Sequence, residues 1–171
     1  LGRTPLPDDW QEDAQTGLEL IAERAEALDR FTGAYSRLMH LPQPSLSPVD
    51  VARLTRRVAD LETRMGVTVV PGPEVQARGD RDQLEQLLIN VVSNAVEASL
   101  QKRPAGDGEV LIGWRIGTGR IEIHVDDDGP GLPDGTDVFV PFFTTKDHGS
   151  GIGLTLCRQI AEAHGGSLTL E

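Results

Sequence analysis

The sequence predicts an α+β fold: a two-layer domain in which a mixed sheet carries helices on one face, preceded by a long α-helix. Three observations lead there. Residues 9–41 hold one uninterrupted helical apolar series, and the β-type runs that follow lack the regular strand-helix-strand alternation of a doubly wound sheet. A length of 171 residues at 38% hydrophobic content is enough to bury one core with a helical appendage.

From Asp9 to Leu41, charged residues alternate with Leu18, Ile21, Ala25, Leu28, Phe31, Tyr35 and Leu38, spaced by threes and fours, which predicts a long amphipathic helix with one apolar seam. Pro42 and Pro44 end it and set a linker. The seam fits either an ordinary core-facing helix or one shared with a partner in a coiled coil or bundle; its length ahead of a proline linker favours the partner. Ser47-Pro48 reads as an N-cap and first-turn proline for a second helix with Val51, Leu54, Val58 and Leu61 on one face. Val67–Val70 and Val75–Ala77 read as short strands split by Pro71-Gly72-Pro73. Asp80 and Gln83 have capping-box spacing at the start of a helix that carries Leu84, Leu87, Leu88, Val91, Val92, Ala95 and Val96. Val110–Ile116 and Ile121–Val125 flank Gly117-Thr118-Gly119-Arg120 as a hairpin. Gly151–Ala163 forms the last helix, closed by Gly165-Gly166, and Ser167–Glu171 is a strand-like run.

A net charge of −11 argues against nucleic acid and against direct contact with an anionic membrane surface, since both need clustered Lys and Arg. The single cysteine, Cys157, lies in an apolar helical pattern; it excludes a disulfide framework and reads as a buried thiol in a reducing, cytoplasmic setting. No membrane span or signal peptide is visible. The opening at Leu1 and the strand-like ending read as a piece of a longer protein, whose anchoring in an inner membrane elsewhere stays open.

The chemistry concentrates in a few places. Asn90, Asn94 and Glu97 project from one face of the helix that follows Asp80. Carboxamide oxygens are suitable hard ligands for magnesium; a solvated helix face is the plainer alternative. Asp126-Asp127-Asp128-Gly129-Pro130-Gly131 follows a strand, and only Asp127 has glycines two and four residues later. Three of the four phenylalanines fall in Phe139–Phe143, a loop-like stretch, as an anchor or a lid would require. Gly149-Ser150-Gly151-Ile152-Gly153-Leu154 opens the last helix.

In this order the motifs resemble the nucleotide site of the GHKL superfamily, which includes sensor histidine kinases, type II topoisomerases, heat-shock chaperones and mismatch-repair ATPases. Asn90–Ala98 is similar to its N box, Asp127–Gly131 to its first glycine box, Phe139–Lys146 to its F box and Gly149–Leu154 to its second glycine box. The resemblance covers residues from Leu46 to the end and implies the Bergerat fold, with ATP and Mg2+ as ligands. It implies that Asp127 accepts a hydrogen bond from the adenine amine, a contact that guanine cannot make; the alternative is an Asp that caps its own turn. Gly129 and Gly131 would let the backbone approach the base. Gly149, Ser150, Gly151, Ile152, Gly153 and Leu154 would surround the phosphates with helix-start N–H groups, and Phe143, Thr144, Thr145 and Lys146 would contact nucleotide from a lid. Asn94 is the expected magnesium ligand, with Asn90 and Glu97 supporting it. Asp128 departs from the family, which often has Asn there.

Hydrolytic members of the superfamily carry a Glu as general base four residues before the metal-binding Asn, where this chain has Asn90. An amide is no base, so the resemblance implies phosphoryl transfer by a sensor histidine kinase rather than hydrolysis. Residues 1–44 then resemble the second helix of a dimerisation and histidine-phosphotransfer hairpin, and 45–171 the catalytic ATP-binding domain. The implied partners are a second copy through the hairpin, forming a homodimer, and a response regulator. None of His40, His124, His148 or His164 is followed by an acidic residue, so the acceptor histidine is expected upstream. The competing expectations are an ATPase conformational switch and a nonenzymatic dimerisation module derived from a kinase.

Overall fold

The apolar series at threes and fours forms helix α1, Trp10–Met39, 30 residues and so about 45 Å long. The structure, a computed structural model, describes residues 10–39, 41–104, 108–131, 138–141 and 151–170. Leu18, Ile21 and Leu28 of the α1 seam are 67%, 65% and 62% exposed, so this part of the seam covers no core. The linker lies against the second unit. Leu41 packs on Ile152, Leu156 and Ile160; the Pro42 carbonyl accepts from Gln83 Nε2 at 2.9 Å, and the Ser45 N–H donates to Asp80 Oδ2 at 2.9 Å.

Ser47-Pro48 does not cap a helix. Ser47–Asp50 forms strand β1, antiparallel to β3, Gln76–Gly79, in a two-stranded sheet that the sequence reading did not contain. A short paired strand tolerates Pro48 because a two-stranded sheet leaves half of its ladder positions without a partner. The helix that follows, α2, Val51–Leu61, is capped instead by Asp50, whose side chain accepts from the Arg53 N–H at 2.9 Å. Strand β3 also starts one residue later and ends two residues later than the expected Val75–Ala77.

Strand β2, Val67–Val70, pairs parallel with β4, Val110–Ile116, which pairs antiparallel with β5, Ile121–Asp127. The order β2-β4-β5 is the expected mixed sheet. The hairpin turn closes through Gly117 N–H to the Arg120 carbonyl at 2.8 Å, with Gly119 at φ 70°. The stretch 71–73 closes over Trp114, whose indole N–H donates to the Pro73 carbonyl at 2.8 Å. A Cβ at Gly72 would fall on the Trp114 backbone and ring, so only glycine fits.

Helix α3, Arg81–Lys102, lies on the sheet beside α2. Leu54 and Val58 of α2, Leu88, Val92, Ala95 and Val96 of α3, and Val110 and Ile112 of β4 form one buried cluster. The helices therefore cover one face of the sheet, in two layers. Asp80 caps α3 by accepting from the Asp82 and Gln83 N–H groups at 3.1 and 3.2 Å, but the box is not reciprocal. The Gln83 amide turns to Pro42, and the Asp80 N–H donates to His164 Nε2 instead.

Helix α4, Gly153–Ala163, starts two residues later than expected because Gly151 sits at φ 62°, outside the helical region. Its end is a Schellman turn: Gly166 N–H bonds the Ala161 carbonyl and Gly165 N–H the Glu162 carbonyl, both at 2.9 Å, with Gly165 at φ 72°. Ser167–Leu170 joins neither sheet, because an alternating pattern does not by itself supply a pairing edge.

Candidate functional site

Helix α3 is the platform on which the candidate site is built. Asn90 and Asn94, four residues apart, are both half-buried on one side of it. Asn90 faces α4: it hydrogen-bonds the Cys157 thiol, and its Oδ1 lies 3.8 Å from where a Gly153 Cβ would stand. Cys157 is fully buried, and its thiol also donates to the Leu87 carbonyl at 3.5 Å. Burial pushes that thiol up to about 12, against the smaller opposing effect of the Asn90 contact, so it is protonated at neutral pH. The cysteine ties α3 to α4 and is no nucleophile.

Glu97 is drawn to a different neighbour. Its Oε1 accepts from Arg64 at 3.1 Å and from Ser93 Oγ at 3.4 Å, while Arg64 forks onto Glu62 at 2.6 and 3.0 Å. The Arg64 side chain, above all, holds the Glu62 carboxyl below the usual carboxylate range. The carboxylate expected to support Asn94 is thus bound to the connection between α2 and β2. The sequence reading missed Arg64, and no local pattern announces a pairing 33 residues away.

At the other end of α3, the chain leaves β5 through Asp127-Asp128-Gly129. Asp127 is exposed, and its Oδ1 accepts from the Gly129 N–H at 2.9 Å. The turn-capping alternative is therefore realised through Oδ1, which leaves Oδ2 as the oxygen that can accept from a ligand. Gly129 presses on α3: a Cβ there would lie 2.6 Å from Ala98 Cβ and 2.9 Å from the Ala98 backbone carbon. Among the described residues nothing would crowd a Cβ at Gly131, which sits at φ 77°.

Asp128 is half-buried and turns toward the end of α3. Ser99 Oγ–H, on a fully buried residue, donates to its Oδ1 at 2.5 Å, and Arg103 Nε lies 3.0 Å from its Oδ2. The Asp128 N–H bonds the Glu109 carbonyl at 3.3 Å. The Ser99 hydroxyl first, with Arg103 and Lys102 adding, holds its carboxyl below the usual range.

The start of α4 carries the second glycine run. Ile152 is buried with Leu156 and Ile160, so its side chain belongs to the core and only its backbone is open to a ligand. Gly151, Gly153 and Leu154 are half-buried. Among the described residues no side chain caps the helix start, where Ile152 stands at the N-cap. Phe139 is anchored to this helix: Thr155 Oγ–H donates to its carbonyl at 3.0 Å, and the Arg158 guanidinium stands 5.5 Å from its ring centre. Phe143, Thr144, Thr145, Lys146, Gly149, Ser150 and the histidines His40 and His148 lie outside the described residues. His164 sits beside the Gly165-Gly166 turn. Its Nε2 accepts from the Asp80 N–H at 2.9 Å and its Nδ1 faces the Ile160 carbonyl at 2.8 Å, so the ring proton sits on Nδ1.

The structure thus brings Asn90 against the start of α4, with Asn94 one turn further along α3, and sets the Asp127–Gly129 loop against the far end of α3. No described helix is long and apolar enough to cross a membrane.

The chain is similar to several known proteins. The chain is 42% identical over 99 residues, 57% of its length, to the C4-dicarboxylate transport sensor protein DctS of Rhodobacter capsulatus, of which it covers 15%. The catalytic domain of the histidine kinase ThkA matches with a TM-score of 0.60 and 29% identity, over 70% of this chain and 82% of that one. Full-length ShkA in complex with AMPPNP matches with a TM-score of 0.68 and 28% identity, over 95% of this chain and 35% of that one. Residues 79–171, more than half of the chain, match the family described as histidine kinase-, DNA gyrase B-, and HSP90-like ATPase, and the chain belongs to that family.

Proposed function

We propose that this chain is the ATP-binding catalytic part of a cytoplasmic sensor histidine kinase that donates the γ-phosphoryl group of ATP to a histidine on a preceding helical segment. A response regulator takes the group onward, and α1 forms part of a homodimeric hairpin. Membership of the family and the AMPPNP bound by ShkA support ATP as the ligand. The observation that carries transfer over hydrolysis is Asn90. It stands where a hydrolase of this family would keep a carboxylate base, and its amide is held against Cys157 and Gly153 rather than poised to take a proton.

The residues divide the work along α3. Asp127 Oδ2 accepts from the adenine amine, a charge-assisted bond of about 1.5–3 kcal/mol that guanine's carbonyl cannot make. Gly129 and Gly131 keep the backbone low under the base. At the other end, the N–H groups of Gly151 to Leu154 face the phosphates, which offsets the repulsion from a chain of net charge −11. Gly149 and Ser150 extend these helix-start phosphate contacts, and Phe143, Thr144, Thr145 and Lys146 contact the nucleotide from the lid.

Among the described residues no three His, Cys, Asp or Glu side chains stand together as a metal site. A neutral amide fits Mg2+ in that setting, since magnesium keeps most of its water and takes few protein ligands beside phosphate oxygens. Asn94 holds it, and the bound ion supplies charge neutralisation on the phosphates. Asn90 orients Asn94's side of the groove. Glu97, paired with Arg64, supports it through that network.

The test is a longer form of the protein that includes the preceding helical hairpin, incubated with γ-labelled ATP and Mg2+. Acid-labile, base-stable label on a histidine is expected. Steady release of phosphate with no labelled histidine would overturn the kinase reading in favour of an ATPase switch.

A further inference from the structure

We propose that Asp128 is a positioning residue for nucleotide recognition. By fastening the 127–129 segment to the C-terminal end of α3, it holds the Asp127 carboxylate where it meets adenine. The inference rests on the assignment of Asp127 to the adenine amine and goes one residue beyond it.

The 127–129 segment is exposed at Asp127 and follows the last residues of an edge strand, so it needs fixing from elsewhere. Beyond its backbone pairing with β4, where Asp127 lies opposite Val110 and the Asp128 N–H bonds the Glu109 carbonyl, its ties lead to one place. Asp128 accepts from Ser99 at 2.5 Å and pairs with Arg103 at 3.0 Å; Lys102 Nζ donates to the Gly129 carbonyl at 3.4 Å; and Gly129 lies on Ala98 with no room for a Cβ. Residues 98, 99 and 102 lie in the last turns of α3 and Arg103 is its C-cap; the same helix carries Asn90 and Asn94. A rigid helix thus sets the distance between the base end and the phosphate end of the ligand.

Of these ties, the Asp128–Ser99 bond is the best shielded. Ser99 is fully buried, whereas Arg103 and Lys102 are exposed and contribute little. The pair also accommodates an amide. Ser99 Oγ has the Glu109 carbonyl 3.4 Å away as a second acceptor, so with Asn at 128 the hydroxyl turns to that carbonyl and accepts from the new NH2. Asparagine therefore preserves the fastening and alanine removes it.

The experiment compares ATP with purine riboside triphosphate, which lacks the 6-amino group, by titration calorimetry in the presence of Mg2+. The wild-type chain is expected to prefer ATP by about tenfold or more, the value of one charge-assisted hydrogen bond. Asp128→Ala should reduce that preference to about threefold or less, and Asp128→Asn should restore it. Ser99→Ala, which removes the same bond from the other side, should behave like Asp128→Ala and serves as the comparison should that variant fail to fold. If Asp128→Ala and Ser99→Ala keep the wild-type preference, or weaken both ligands equally, Asp128 is merely structural and the proposal is wrong. If the wild-type chain binds both ligands equally well, the adenine assignment of Asp127 itself fails, and the proposal with it.

Discussion

Gly129→Ala is the most direct probe of how closely the loop after β5 approaches α3. The added Cβ would stand 2.6 Å from Ala98 Cβ, 2.9 Å from the Ala98 backbone carbon and 2.6 Å from Asp127 Oδ1. Carbon atoms rest at about 3.5–4.0 Å, so the loop must retreat by about 1 Å. Neither neighbour can yield: Ala98 has no side-chain torsion to turn, and its backbone belongs to a helix packed into the core between Ala95, Val96 and Ser99. Overpacking of this kind costs about 1–3 kcal/mol. At about 2–4 °C per kcal/mol for a chain of this size, the melting temperature should fall by about 2–12 °C. The retreat also carries Asp127 with it, and losing its bond to adenine should weaken Mg-ATP binding by about ten- to a hundredfold. Thermal melts followed by circular dichroism and calorimetric titration read the two effects separately. A Gly129→Ala chain with the wild-type melting temperature and the wild-type ATP affinity would refute the close approach. The neighbouring glycine supplies a contrast, because among the described residues nothing would crowd a Cβ at Gly131, but it sits at φ 77°. There Asn, which tolerates left-handed backbone, should be more stable than Ala; at 129 the larger Asn should be the worse of the two.

Three further predictions follow from the packing and the charges. The Cys157 thiol, fully buried and pushed up to about 12, should resist iodoacetamide at pH 8 in the folded chain and react once urea unfolds it; rapid labelling of the native chain would contradict the α3–α4 packing. His164→Leu removes the acceptor for the Asp80 N–H and should destabilise the chain by about 1–3 kcal/mol in urea titrations, with an unchanged midpoint showing that bond to be dispensable. Glu62, Asp80, Glu122 and Asp128 all have carboxyl groups held below their ordinary range by hydrogen bonds and cations. A carboxyl with a lowered folded-state pKa contributes its stability above its unfolded value and loses it as pH falls through the folded one. The melting temperature should therefore change little from pH 7 to about 5 and drop below about pH 4; a steady rise on acidification through pH 4 would show that these bonds do not govern stability.

The parts of this fold that repeat a period over many residues were legible in the sequence. Leu84 to Val96 announced α3, and the alternating residues on either side of Gly117–Arg120 announced β4 and β5 to within two residues. Ser47-Pro48 misled because the same two residues suit a helix start and a short strand. What decided between them was pairing with Gly79 and Arg78, about 30 residues away, which no local window contains. The candidate site divides in the same way. Asn90, Asn94, Asp127 and Gly129 stood out through spacing within single elements. The Arg64 partner of Glu97 and the Ser99 and Arg103 partners of Asp128 come from other elements, and only the folded chain joins them. Exposure was illegible for a related reason: the motif that singles out Asp127 does not carry the information that its place at the end of an edge strand leaves it open.

The central claim is that α3, the loop after β5 and the start of α4 form a magnesium-dependent adenine nucleotide site, and calorimetric titration of the wild-type chain with Mg-ATP and Mg-GTP tests it most directly. Binding of Mg-ATP, at least about tenfold weaker binding of Mg-GTP, and loss of the magnesium-dependent part of the affinity in a folded Asn94→Ala variant are the expected results. No heat of binding at millimolar Mg-ATP, or equal affinity for the two nucleotides, would contradict it.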